Sequence, residues 1–313
     1  DFSKILGRFD TKIKLASTDI EEVIKMRLLE KTEEASETLK QLYRDNDADI
    51  RNAFSFSAGT QAQSIYTDAD NFAATYPYVP YQFSLVQNTY GYIREKGFAG
   101  AHLSSGARSL LSAVQETAKA YQNDEIGRLI PFSAFYETIK TAVDSSVTRI
   151  FERAEEIVRS GNLENFDIAI LKTLFMLRGA KEVPSTVENL ATLEITQIGQ
   201  DRLELEKNIR DSLKRLEDQT YVQKTNETYA FLTDEEQEVN KAIQKIIVDQ
   251  NKVNDQIGDI LRIFGSKYTY SSRRIFSVDL YIEDHKLNAG VGDLTLVFTL
   301  DNESAATRST INA

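Results

Sequence analysis

Two arginines stand where a guanidinium could meet a phosphate. Arg8 lies in Gly7-Arg8-Phe9-Asp10, a glycine turn directly before a predicted strand at residues 10–16. Arg108 follows Ser104-Ser105-Gly106 and is expected in the first turn of a helix. A guanidinium on a γ-phosphate, even one supplied by a neighbouring molecule, stabilises the charge that develops during phosphoryl transfer. The alternative for each residue is an ordinary surface or ion-paired arginine.

Three basic residues share one face of a helix predicted at residues 199–218. Lys207, Arg210 and Lys214 lie opposite the leucines of that helix, and such a helix can enter the major groove of DNA. Residues 201–218 nevertheless hold six acids against five bases, whereas a surface that tracks phosphates is expected to be clearly basic. We therefore favour a packing or protein-contact role and keep DNA binding as the alternative.

The other reactive side chains lack the partners that catalysis needs. His102 and His285 are the two histidines and cysteine is absent, so no spacing typical of a metal site or a nucleophile occurs. The acid pairs Glu33-Glu34 and Glu235-Glu236 are expected on solvated helix faces or at helix N-termini. A phosphate loop requires Gly-Lys, and this dipeptide is absent from the sequence. We expect no nucleotide hydrolysis by this chain alone.

Composition narrows the class of protein. The 313 residues suffice for two or three compact units. A net charge of −11 argues against a broad nucleic-acid footprint. No apolar run approaches the ~20 residues of a membrane helix, and the lack of cysteine fits a reducing compartment such as the cytoplasm.

Hydrophobic periodicity predicts a mainly helical first half. A capping box at Thr18 and Glu21 opens a helix that is expected to run to about Tyr43. The prolines of the stretch 76–81 prevent a helix from starting before Pro80. Further helices are predicted after residues 80 and 106, and a long one at 133–159 that stops at Gly161.

The second half combines helices with β-structure. Helices are predicted at 166–178, from a capping box of Ser185 and Glu188, and at 199–218, followed by a hairpin at 220–232. Three helices and a hairpin are the order of a winged helix-turn-helix unit. A helix at 234–264 and strands at 275–282 and 294–300 follow.

Four stretches of the sequence carry a resemblance to a known family, and they lie at residues 76–83, 106–111, 181–191 and 229–236. The most specific of them is YPYVPYQF at residues 76–83. They resemble the large P-loop ATPases of BREX phage-defence systems (BrxC/PglY), and the similarity covers nearly the whole chain.

The resemblance implies that the chain is an internal segment of a longer protein whose nucleotide-binding core precedes residue 1. By the same analogy, Arg8 corresponds to the arginine finger of AAA+ ATPases and Arg108 to a lid arginine that senses phosphate. ATP and Mg²⁺ would belong to the parent protein, with neither bound by this segment alone. Homo-oligomers, contacts with other BREX proteins and resistance to bacteriophage are further implications.

The expected architecture is mainly α, with an AAA+ lid-like bundle, a winged-helix module, a connector helix and a short β-rich portion. Its function would be to couple nucleotide state to partner- or DNA-engaging domains, with a DNA-binding module or a helical scaffold for BREX partners as alternatives. The predicted blocks are 1–50 (end of the AAA+ core), 51–162 (lid), 163–233 (winged helix), 234–265 (connector) and 266–313 (start of a β-containing domain).

Overall fold

The computed structural model describes residues 17–95, 107–140, 143–244, 250–261, 267–270, 274–282, 285–288 and 291–298. The predicted strand at 10–16, Arg8 and His102 fall outside these ranges. The described residues are mainly helical, with a small β portion near the C-terminus. They form two compact units, one ending at Lys241 and the other beginning at Ala242.

The described ranges contain thirteen α-helices, and a 3-10 helix at Phe132–Phe135. In chain order the α-helices are α1 Ser17–Arg27, α2 Glu33–Asp45, α3 Asp47–Ala53, α4 Ala69–Thr75, α5 Tyr81–Glu95, α6 Ala107–Ala120, α7 Tyr136–Ile139, α8 Ser145–Ser160, α9 Asn165–Leu177, α10 Val187–Leu193, α11 Arg202–Asp218, α12 Asp234–Gln244 and α13 Gln250–Leu261.

The single helix predicted from Thr18 to Tyr43 is wrong, because the chain forms two helices there. α1 ends at Arg27, and α2 begins after Thr32. The Thr32 hydroxyl accepts a hydrogen bond from the Ala35 backbone N–H at 3.3 Å, so Thr32 is a second N-cap signal within the same apolar pattern. α2 ends at Asp45 and α3 begins at Asp47, with Asn46 between the two helices.

The long helix predicted at 133–159 is also wrong. A 3-10 helix follows Pro131, the one-turn α7 ends at Ile139, and α8 begins only at Ser145. The Asp144 carboxylate starts α8 by accepting a hydrogen bond from Ser146 N at 2.8 Å. The predicted stop at Gly161 is confirmed, since that residue adopts a left-handed conformation with φ +85°.

The tyrosine- and proline-rich stretch before α5 forms turns, and its residues 78–80 are buried. As predicted, no helix starts within residues 76–80, and α5 begins at Tyr81. Tyr78 and Tyr81 are almost fully buried. The Tyr78 hydroxyl donates to the Val114 carbonyl at 2.7 Å, and the Tyr81 hydroxyl donates to the Thr192 carbonyl at 2.9 Å. The two tyrosines thereby tie this stretch to α6 and α10.

The helices α9, α10 and α11 are followed by an antiparallel hairpin, as the sequence predicts. Strands β1 (Val222–Thr225) and β2 (Thr228–Phe231) pair in a register that sets Val222 opposite Phe231. The predicted cap of α10 is wrong: Thr186, not Ser185, accepts from Asn189 N at 3.3 Å. The Ser185 hydroxyl instead donates to the carbonyl of Tyr229 in β2 at 2.5 Å, so it bonds the hairpin and does not cap the helix.

Aromatic rings join the hairpin to the helices. The Phe231 ring of β2 stacks on Phe151 of α8 with 5.8 Å between centroids and meets Phe175 of α9 edge-on at 5.3 Å. All three rings are almost fully buried. Because aromatic pairs add stabilisation beyond their buried area, β2 is held firmly against α8 and α9.

The second unit contains α13 and a small sheet of strands β3 (Lys267–Tyr270), β4 (Arg274–Ile282), β5 (His285–Lys286) and β6 (Leu294–Phe298). β4 pairs antiparallel with β3 and β5, and parallel with β6. The strands predicted at 275–282 and 294–300 are confirmed over their described residues. The helix predicted at 234–264 is described as α12 and α13, with residues 245–249 outside the described ranges.

Candidate functional site

Three of the five basic residues of α11 lie on its solvent face. Lys207, Arg210 and Lys214 are exposed, while the leucine face of the helix is buried in the core. Arg210 forms an ion pair at 3.2 Å with Glu206, the acid one turn earlier. Within the described ranges, Lys207 and Lys214 have no carboxylate in ion-pair distance. Within these ranges the face therefore offers two unpaired ammonium groups and one guanidinium that shares the Glu206 carboxylate with Arg202.

Of the two arginines predicted to interact with phosphate, the structure describes only the backbone of Arg108. Arg8 lies outside the described residues. Arg108 is in the first turn of α6, which begins at Ala107 as the sequence predicts, but its side chain lies outside the description. His285 belongs to β5, and its side chain likewise lies outside the description.

The hairpin and α12 are fastened to the end of α9 by Arg178. Its guanidinium donates two parallel hydrogen bonds to the Glu236 carboxylate, each 3.1 Å long, and a third of 3.2 Å to the Phe231 carbonyl. Glu236 also accepts from Thr233 N at 2.8 Å, in the manner of an N-terminal cap. The acid predicted to lie on a solvated face or at a helix N-terminus is thus also a bidentate ion-pair partner.

A second arginine anchors α11 to α9. The Arg215 side chain donates to both oxygens of the Asp167 carboxylate, at 2.8 Å from Nε and 2.7 Å from Nη2. Asp167 is completely buried and also accepts from Glu164 N at 2.8 Å, which caps α9. Because both carboxylate oxygens have partners, the buried charge is compensated.

A third junction is built around a buried glutamate without a cation. Glu194 ends α10 and is 3% exposed. It accepts from Ser133 N at 3.1 Å, from the Ser133 hydroxyl at 2.6 Å and from the Thr173 hydroxyl. Burial raises the pKa of the Glu194 carboxyl to about 7, although the hydrogen bonds from Ser133 and Thr173 oppose that rise.

A cleft of about 470 Å³, the first cleft, opens beside this junction. Its walls include Ser133, Glu137, Glu155, Arg159 and Lys172. The Lys172 ammonium forms an ion pair with Glu137 at 2.5 Å. The walls therefore carry two acids and two bases, and the cleft has no strong preference for an anion or a cation.

Apart from Glu236, sequence reasoning missed the residues of these three junctions. Glu194 leaves a signal, because it is the one acid in the apolar run from Leu190 to Ile195, and a lone acid in such a run is expected to be buried and bonded. Arg215 leaves none, because it lies in a helix with many other charges. Arg178 is the one charge between Thr173 and Ala180, but that position does not identify Glu236 as its partner, which only the tertiary fold selects.

The described residues contain no group of three or more His, Cys, Asp or Glu placed to hold a metal ion. None of the helices in the described ranges is long and apolar enough to cross a membrane. A scan against protein-family models finds no match for this chain. A search of solved structures finds no significant neighbour.

Proposed function

We propose that this chain is a non-catalytic coupling segment of an AAA+-type P-loop ATPase of a bacterial BREX anti-phage system. Its role would be mechanical: nucleotide state in a preceding core biases the helical block through Arg8 and Arg108, and the domains beyond move with it. The parent protein would act in the cytoplasm as a homo-oligomer beside other BREX proteins. The block at 51–162 would serve as the lid and that at 163–233 as a winged-helix module.

One observation supports the proposal. The stretches with the family resemblance form hydrogen bonds with one another, or with residues directly beside another such stretch. Tyr81, from the first stretch, bonds the Thr192 carbonyl just beyond the third. Ser185, from the third, exchanges two hydrogen bonds with Tyr229 of the fourth, at 2.5 and 3.1 Å. Residues that match the family thus serve to hold elements together, which suits a body that transmits motion as a unit.

The residues present do not fit a nucleotide site. Gly-Lys is absent from the sequence, and the described residues offer no acid cluster for Mg²⁺. The raised pKa of Glu194 belongs to a carboxyl with both oxygens bonded in the interior. We therefore assign ATP and Mg²⁺ to the parent protein and derive no chemical step within this segment.

The proposal is tested in two parts. Titration calorimetry of the isolated chain with Mg·ATP should show no binding. In the full-length parent, Arg8→Ala should lower the ATPase rate by about 10³-fold, which is the effect of losing an arginine finger. Arg8→Lys should recover little, because ammonium lacks the planar fork. Tight ATP binding by the chain, or an unchanged rate in Arg8→Ala, would overturn the proposal.

DNA binding through α11 is the second candidate, supported by the exposure of Lys207 and Lys214 and by the hairpin that follows the helix. Fluorescence anisotropy with a labelled duplex separates the two functions. Submicromolar affinity that falls steeply with salt, and weakens in Lys207→Ala/Lys214→Ala, favours DNA binding. No binding at low salt favours the coupling segment.

A plain helical scaffold for BREX partners is the third candidate. The junctions at Arg178 and Arg215 hold the helices together as a rigid body, which a scaffold needs as much as a coupling segment does. A scaffold needs neither Arg8 nor Arg108. Full ATPase activity in the parent after both are changed to alanine, together with loss of partner capture on removal of the segment, would favour it.

A further inference from the structure

A second cleft, of about 280 Å³, lies on the first unit between the α1–α2 connection and the loop after α6. Its walls are apolar at Leu28, Leu29, Ala118 and Ile126. This volume is just below the ~300 Å³ at which ligand pockets in proteins usually begin. The cleft therefore suits only a small ligand, and its apolar walls favour one with an apolar body. Neither the proposed function nor the three arginine and glutamate junctions use it.

Lys31 belongs to the wall of this second cleft and is half-buried. Its ammonium nitrogen donates one hydrogen bond, of 2.7 Å, to the Tyr76 carbonyl. Among the described residues no carboxylate lies within ion-pair distance of it. An ammonium group has three N–H donors, and the bond to Tyr76 uses one of them. Once the ammonium loses a proton, the nitrogen has a lone pair that can attack an electrophile.

Burial lowers the pKa of Lys31 to about 8. At pH 7.5 roughly a quarter of such amines are neutral, against roughly one in a thousand for an unperturbed lysine. The neutral amine is the nucleophilic form. Desolvation in an apolar pocket is one of the ways in which proteins activate a lysine to form an imine with a carbonyl compound.

The charges at the mouth of the second cleft select the electrophile. Glu30, Asp124 and Glu125 are exposed wall residues. Arg128 is the other positively charged side chain of the wall besides Lys31, and its Nε lies 3.7 Å from the Asp124 carboxylate. The mouth is therefore net acidic, which repels anions and admits neutral molecules.

We propose that Lys31 is a covalent site for small neutral aldehydes or ketones, which it captures in the second cleft as an imine. The amine nitrogen attacks the carbonyl carbon and a C=N bond replaces C=O. Both amine hydrogens leave with the carbonyl oxygen as water, so no oxidant or reductant is consumed. The hydrogen bond to Tyr76 aims the amine while the apolar walls hold the body of the ligand.

The test is competitive labelling of the whole chain with benzaldehyde at pH 7.5, trapped by cyanoborohydride and mapped by peptide mass spectrometry. Lys119, exposed on α6, is the internal control. Lys31 should be labelled at least tenfold faster than Lys119, with a rate that rises to a plateau above pH 8. Labelling of Lys31 at or below the rate of Lys119 would overturn the proposal.

A second probe separates the cleft from mere reactivity. 4-Carboxybenzaldehyde has the same reactive group and nearly the same size but carries a negative charge. The Lys31-to-Lys119 ratio should fall severalfold with this probe, because the acidic mouth repels it. An equal ratio for the two aldehydes would contradict recognition by the cleft. Lys31→Arg should remove the fast-labelled peptide and leave Lys119 labelling unchanged.

Discussion

Two carboxylates lie buried in the first unit, and the fold compensates them differently. Asp167 at the start of α9 receives both prongs of the Arg215 guanidinium. Glu194 at the end of α10 receives a backbone N–H and two hydroxyls, all uncharged. Asp167 belongs to α9, and Glu194 accepts a hydrogen bond from Thr173 of α9, so the same helix takes part in both junctions.

The contrast shows what a cationic partner contributes to a buried carboxylate. A neutral donor supplies a hydrogen bond but no opposite charge, so desolvation still disfavours the ionised form of Glu194 and raises its pKa to about 7. An arginine supplies both, and its removal would leave a bare charge in the core. The Asp167 junction therefore depends on its partner, whereas the Glu194 junction depends on pH.

The largest expected effect comes from breaking the Asp167 junction. Arg215→Ala should lower the free energy of unfolding by about 3–5 kcal/mol, because it leaves Asp167 charged and unpaired in the interior. Chemical denaturation monitored by circular dichroism measures the loss. The matched control is Arg210→Ala, which removes an exposed arginine from the same helix and should cost no more than about 0.5 kcal/mol.

Arg215→Lys refines that prediction. Lysine keeps the positive charge but loses the fork that reaches both carboxylate oxygens, so its stability should lie between those of the wild type and Arg215→Ala. If Arg215→Ala were no less stable than Arg210→Ala, the buried pair would contribute nothing and the contrast with Glu194 would collapse.

The Glu194 junction should make stability depend on pH. The native carboxyl has a pKa of about 7 against 4.5 for the reference group, so between these values the folded state binds more protons than the unfolded state. Stability should therefore fall as pH rises from about 4.5 to 7, by up to about 3 kcal/mol from this group. Denaturation midpoints measured from pH 4.5 to 8 give the profile.

Glu194→Gln tests the assignment of that profile. The amide resembles the protonated acid in shape and does not ionise, so the fall between pH 4.5 and 7 should flatten. Glu188→Gln is the matched control, because Glu188 is an exposed acid on the same helix. A profile that stays as steep in Glu194→Gln as in Glu188→Gln would assign the pH dependence to other groups.

The sequence predicts elements far better than it predicts these junctions. The prolines before α5, the stop at Gly161 and the hairpin of β1 and β2 follow from local chemistry and are confirmed. Breaks at Thr32 and Asp144 were missed because a capping side chain outweighs an apolar period that continues past it.

Partner choice is harder to predict, because it is a tertiary property. The bond from Ser185 to the Tyr229 carbonyl spans 44 residues, and no local signal diverts the serine from the cap that its position suggests. The exposure of Lys207, Arg210 and Lys214 was predictable from helical period, and the ion pair of Arg210 with Glu206 follows the i,i+4 spacing that favours such pairs on a helix. The roles of Arg8 and Arg108 stay predictions.

A smaller effect should come from removing one donor to Glu194. Thr173→Val deletes a hydroxyl that bonds the carboxylate, and should cost about 1.5–3 kcal/mol at pH 8, where the acceptor is charged. At pH 5 the acceptor is neutral, and the cost should fall to about 0.5–1.5 kcal/mol. The difference between the two pH values, measured by denaturation, is the diagnostic quantity.

Thr89→Val is the control for that pH difference. The Thr89 hydroxyl is buried and bonds the backbone carbonyl of Leu85 at 2.9 Å, so its partner does not titrate. Its cost should be the same at pH 5 and pH 8. An equal pH difference in the two valine variants would show that Thr173 does not report on the charge of Glu194.

The smallest effect is expected on the solvent face of α11, within two turns of Arg215. Lys207→Ala/Lys214→Ala should change the free energy of unfolding by less than about 0.5 kcal/mol, because neither ammonium is buried or paired within the described ranges. The same helix would then carry one arginine that stabilises the fold strongly and two lysines that contribute little to its stability. Denaturation of the double variant beside Arg215→Ala measures the ratio. A loss above about 1 kcal/mol would mean that the exposed face packs against something, and the lysines would no longer be free for a partner.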